Sequence, residues 1–74
     1  MNSVPKEDYK KGIFHAVASI LATENDQFRG IVQISQAGES NHNEEHLVPV
    51  TSDTPQEAFD EAKALAHRIL ANLQ

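Results

Sequence analysis

Residues 42–46 read His-Asn-Glu-Glu-His, an H-x-x-E-H spacing. On a helix, histidines four residues apart share a face and can hold zinc, while the glutamate meets a metal-bound water. That chemistry needs helical geometry, a further ligand and a substrate cleft. The run lies between Gly38 and Pro49, where a helix is disfavoured, and the chain is too short to supply the rest. A solvated polar loop is the expectation for His42 and His46, with no metal site. Glu57, Asp60 and Glu61 follow Asp53 closely enough for an acid–base pair or a cation site, but they fall on the side a helix turns to water, and EF-hand spacing is absent. Ser19, Ser35 and Ser40 lack a Gly-x-Ser-x-Gly setting. Gly12, Gly30 and Gly38 are too dispersed to cradle a phosphate. His15 sits in an apolar stretch and His67 on a polar helix face, each satisfied singly, although four histidines in an acidic chain bear on its charge near neutrality. No catalytic residue, cofactor or metal ligand is expected, and the chain reads as a non-enzyme.

Eleven acidic residues stand against six basic ones, for a net charge of −5. This balance repels polyanions, and the Lys10-Lys11 pair, with Lys6 before Glu7 and Asp8, is a thin basic footprint. No nucleic acid is expected as a partner. No apolar run approaches the roughly 20 residues that span a bilayer, so no membrane is expected either. The N-terminal residues carry acids and no apolar segment of signal-peptide length, and cysteine is absent. A cytoplasmic protein is the expectation. A single domain of 74 residues gains little net stability from its core and needs a staple. Without disulfides or zinc–thiolate sites, a very regular core or oligomerisation remains, and oligomerisation is the expected one.

Elements that position these residues can be read from periodicity. Residues 1–11 read as an N-terminal tail, or as a single helical turn capped by Ser3 and begun by Pro5. Residues 12–74 read as one β-β-β-α domain. Its first strand covers residues 13–21, and the second, residues 28–35, alternates with Phe28, Gly30, Val32 and Ile34 on one face. Asn25 and Asp26 suit the turn between them. A two-residue loop would set Ser19 opposite Val32 and a three-residue loop Ile20 opposite Val32, exchanging the faces of the first strand. Gly30 marks a bulge or a close approach. A polar loop is expected over residues 36–45. The third strand, over 46–51, is confined to an edge or cut short by Pro49.

Residues 54–57, Thr-Pro-Gln-Glu, form a capping box with proline at the first helical position. Apolar residues then recur at Ala58, Phe59, Ala62, Leu65, Ala66, Ile69 and Leu73 with a helical period, predicting a helix over residues 55–72. Gln56, Asp60, Glu61, Lys63, His67 and Arg68 make its wet face. The expected fold is α+β: a three-stranded antiparallel sheet with one C-terminal helix packed on one face. Phe28, Val32 and Ile34 meet the helix. Ile31, Leu47 and a stripe of the first strand are left on the other face, where Ile31 and Leu47 are the expected interface.

The helix start, Asp53-Thr-Pro-Gln-Glu-Ala-Phe-Asp-Glu-Ala62, resembles that of HicB-type antitoxins, which place three strands before such a helix and cradle a small ribonuclease toxin. No Pro-Asp-Leu-Pro-Gly-like segment precedes it here. The whole also resembles small bacterial β-β-β-α proteins classed as domains of unknown function, which implies no activity. The element order is similar to the last four elements of double-stranded-RNA-binding domains. Those grip phosphates with lysines at the final helix, where this chain has Asp53, Glu57, Asp60 and Glu61. The leading expectation is a small protein-interaction module that self-associates through its sheet as a homo-oligomer. The alternative is an antitoxin-like or regulatory protein that masks a partner.

Overall fold

The computed structural model describes residues 5–73, with side chains described throughout except at 39–42. Four strands run as an antiparallel meander: β1 (Glu7–Lys11), β2 (Phe14–Ala22), β3 (Phe28–Gln36) and β4 (Glu39–Leu47). One helix, α1 (Pro55–Asn72), crosses a single face and lies chiefly over β2 and β3. The α+β class, antiparallel sheet and C-terminal helix are as the sequence predicts. The strand count is four rather than three.

Two polar segments account for the difference. Residues 7–11, expected as part of a tail or helical turn, form β1; Ser3, the expected cap, lies outside the described residues. Only Tyr9 of this strand is apolar enough to signal burial. An edge strand needs little more, because its backbone ladder to β2 is specified by the partner. Gly12, at φ +59, opens a two-residue hairpin loop that closes on the Lys11–Phe14 pair, the position at which type II′ turns favour glycine. Likewise, the expected polar loop over 36–45 is mostly β4, turned by Ala37 and by Gly38 at φ +84. A register irregularity at Ser35/Gln36 absorbs the mismatch between turn and ladder. The expected third strand over 46–51 instead ends at Leu47. Val48 N–H still donates to Gly30 C=O at 2.9 Å, but Pro49 has no N–H to continue the ladder. The chain returns to β3 at Ser52, which exchanges both backbone hydrogen bonds with Phe28 at 2.9 and 2.7 Å.

The β2–β3 hairpin resolves the register. Its loop is residues 24–26, closed by Thr23 N–H donating to Gln27 C=O at 2.8 Å, with Asp26 at φ 60. Ala18 therefore lies opposite Val32, neither of the two pairings expected. The loop has three residues, but it is centred on Asn25 rather than Asp26, which shifts the pairing by two and preserves the side-chain parity of the three-residue alternative.

Even-numbered residues of β2 and β3 consequently face α1. The core joins Ala16, Ala18, Val32 and Ile34 to Ala62, Ala66 and Leu70, with Ala58 also buried. Small residues on both layers let helix and sheet approach closely. Gly30 sits at the tightest point: a β-carbon there would lie 2.8 Å from the Ala58 carbonyl oxygen. It is a close-approach residue within a regular stretch of ladder.

The helix begins and ends where its sequence predicts. Thr54, at φ −128 and ψ 152, accepts a hydrogen bond from Glu57 N–H at 3.2 Å. Its hydroxyl donates in turn to Glu57 Oε1 at 3.2 Å, so the glutamate closes the cap through the hydroxyl rather than through the Thr54 amide. Gln27 anchors the approach to this cap, donating from Nε2 to Asp53 Oδ1 at 3.1 Å and accepting at Oε1 from Thr51 Oγ1 at 2.7 Å. Thr54→Ala removes the cap and is expected to destabilise the fold by about 1 kcal/mol. Urea denaturation with an unchanged m-value checks this, and an unaltered midpoint would contradict the capping role.

Candidate interaction surface

Residues paired across an antiparallel sheet share a face, so the registers map the side opposite α1. One row sets Ser19 of β2 beside Ile31 of β3 and Leu47 of β4. The next holds Asp8, Val17, Gln33 and Glu45, and the one after it Lys10, His15, Ser35 and Asn43. Leu21 and Arg29 pair at the opposite end. Among the described residues no helix or further strand covers this face.

Ile31 and Leu47, the interface residues expected from the sequence, are thus direct cross-strand neighbours on the open face. Their exposures differ sharply. Leu47 is 49 % exposed and Leu21 45 %, whereas Ile31 is only 8 % exposed. Its neighbours cover it without help from another layer. The open-face position expected for Ile31 therefore comes with a buried side chain, and the accessible apolar groups are Leu47 and Leu21. Leu21 belongs to the first-strand stripe that the three-residue alternative turns to this face, and the three-residue loop at 24–26 places it here. A shallow hollow of about 270 Å³ runs between Lys6, Val17, Ser19, Leu21, Ile31 and Glu45. Ser19 Oγ donates to the Pro5 carbonyl at 3.1 Å, and Gln33 Nε2 donates to Glu45 Oε2 at 3.1 Å. Both bonds occupy polar groups beside the apolar strip.

The other side chains singled out by type are dispersed. Glu45 and His46 are consecutive in a strand and point to opposite faces, which is unlike the helical arrangement that an H-x-x-E-H zinc site requires. The His42 side chain lies outside the described ones. His46 Nε2 stands 3.7 Å from Glu44 Oε1, and His15 Nε2 stands 3.9 Å from Asp8 Oδ1. His67 instead meets Tyr9, with ring centroids 4.5 Å apart. Desolvation holds the Tyr9 phenol above its ordinary pKa, with Glu7 adding to the shift and Lys63 opposing it. Among the described residues no group of three histidine or acidic side chains is placed to hold a metal ion. No described helix is long and apolar enough to cross a membrane. Ser19, Ser35, Asp53, Glu57, Asp60 and Glu61 converge on no common site. No protein-family model matches this chain, and no curated protein or solved structure is significantly similar to it.

Proposed function

We propose that this protein is a small non-enzymatic interaction module that self-associates through the open face of its sheet. The observation that carries this reading is the pair of exposed leucines, Leu21 and Leu47, beside the buried Ile31 on a face without a covering element among the described residues. Apolar groups gathered on one uncovered surface favour burial against another subunit. The core supplies the complementary reason. Among the described residues Val32 is the only large side chain that is fully buried, and alanines provide most of the rest of the core. So thin a core in so short a chain gains from added burial.

Leu47→Lys places a charge in the strip at an exposed position, where the fold tolerates it. Sedimentation equilibrium at micromolar concentration is expected to give a lower assembly mass for this variant than for the wild type, with helix content unchanged by circular dichroism. Ile31→Lys is the weaker test, because the buried Ile31 side chain contributes to the fold itself. An assembly mass unaffected by Leu47→Lys would overturn the proposal.

A further inference from the structure

The outer edge of β1 is unpaired among the described residues. Its sequence, Glu7-Asp8-Tyr9-Lys10-Lys11, has two acids, an aromatic and two bases. Reversed and laid beside itself, the strand sets Glu7 opposite Lys11 and Asp8 opposite Lys10, with Tyr9 opposite its own copy. We propose that β1 pairs with β1 of a second copy, antiparallel and centred on Tyr9, to make a continuous eight-stranded sheet.

Backbone geometry permits this pairing. Lys11 and Phe14 close a two-residue hairpin, so the odd residues of β1 bond to β2. The amides and carbonyls of Asp8 and Lys10 then point outward. A two-fold axis through the Tyr9 pair brings the Asp8 and Lys10 groups of each copy into hydrogen-bonding register with those of the other. Both helices would lie on the same side of the joined sheet, and α1 sits chiefly over β2 and β3 rather than over the edge.

Charges on edge strands ordinarily discourage pairing. Here their order discourages every register but one. Sliding the copies by two residues sets Asp8 against Asp8 in one direction and Lys10 against Lys10 in the other, and like charges directly opposite are unfavourable. The Tyr9-centred contact is isologous and closes at two copies. It uses neither Leu21 nor Leu47, so either contact can fail without the other. If both form, two joined sheets pack face to face as a tetramer.

The test is a charge swap in a Leu47→Lys background, which removes the face contact and leaves β1 intact. The parent protein is expected to sediment as a dimer. Glu7→Lys with Asp8→Lys leaves four lysines around Tyr9, and Lys10→Glu with Lys11→Glu leaves four acids. Each double variant alone is expected to be a folded monomer by circular dichroism and sedimentation equilibrium. Mixed in equal amounts they are expected to form a one-to-one heterodimer, because all four cross-strand positions again oppose. A monomeric parent, a mixture that stays monomeric, or a double variant that dimerises as well as the parent would each overturn the proposal. Salt provides a second measurement that needs no new variant. At about 1 M, where the screening length falls to about 3 Å, the parent dimer is expected to weaken several-fold. Undiminished dimer at that salt would count equally against it.

Discussion

Gly30→Ala is expected to destabilise the protein by about 3 kcal/mol, at the upper end of what overpacking a core costs. The added β-carbon would lie 2.8 Å from the Ala58 carbonyl oxygen, 2.8 Å from Val48 Cγ2 and 2.9 Å from Ala62 Cβ. Two of these neighbours cannot rotate away. The Ala58 carbonyl is helix backbone, and the Ala62 methyl has no side-chain torsion that moves it. Relief requires α1 to lift from β3, which loosens the whole Ala58–Ala62–Ala66 contact. A domain of this length has about 4–11 kcal/mol of stability in total, so the loss is a large part of it. Urea denaturation of the variant is expected to show a much lower midpoint. Adding Ala62→Gly should recover little, since it removes one clash of three and places glycine inside a helix at about 1 kcal/mol. A Gly30→Ala midpoint close to wild type would mean that helix and sheet stand further apart than described.

Gly30 also illustrates what the sequence conveys and what it withholds. A glycine within an alternating strand signals either a bulge or a close approach, and only the facing helix decides between them. The helix itself is legible from end to end. Thr54, Pro55 and Glu57 announce its start locally, and the apolar period carries it to Asn72, because capping and periodicity depend on near neighbours. Edge strands carry no comparable signal. β1 and β4 are mostly charged or polar, and their strand state derives from ladders to β2 and β3 that the sequence does not announce. Hairpin register is intermediate. The Asn25-Asp26 pair locates the turn, but whether the loop centres on one or the other shifts the ladder by two residues.

The same limit applies to the candidate surface. Alternation places Ile31 on the face away from the helix, and β3 bears that out. Its burial is not legible, because it depends on cross-strand neighbours fixed by register rather than by an added layer. Leu21 is hidden for the converse reason: its face is set by whether the loop has two residues or three, which local sequence leaves open. The β1 charge pattern was visible throughout as a weak basic footprint. It takes on meaning only once residues 7–11 are known to be an edge strand, where order along the chain becomes order across a two-fold axis.

Leu70→Ala is expected to cost more than Phe59→Ala, reversing the ranking that side-chain size suggests. The apolar period does not single out Leu70. In the fold it continues the buried i, i+4 stripe of Ala58, Ala62 and Ala66 and is 6 % exposed. Truncation removes it from the core and is expected to cost about 3 kcal/mol, the lower part of the range for such changes. Relaxation is possible because Leu70 also borders a solvent-open hollow with Tyr9, His67 and Ala71. Phe59 flanks the stripe half-buried, with Lys63 Nζ 4.7 Å from its ring centroid. Its outer side already meets water and a charged group, so Phe59→Ala is expected to cost about 2 kcal/mol, below the usual range for a fully buried ring. The two positions are about 16 Å apart along the helix axis at 1.5 Å per residue, and their effects should add. Urea denaturation of both single variants and the double variant measures all three quantities. A larger loss for Phe59→Ala would show that the ring, rather than the end of the alanine stripe, fixes the helix on the sheet.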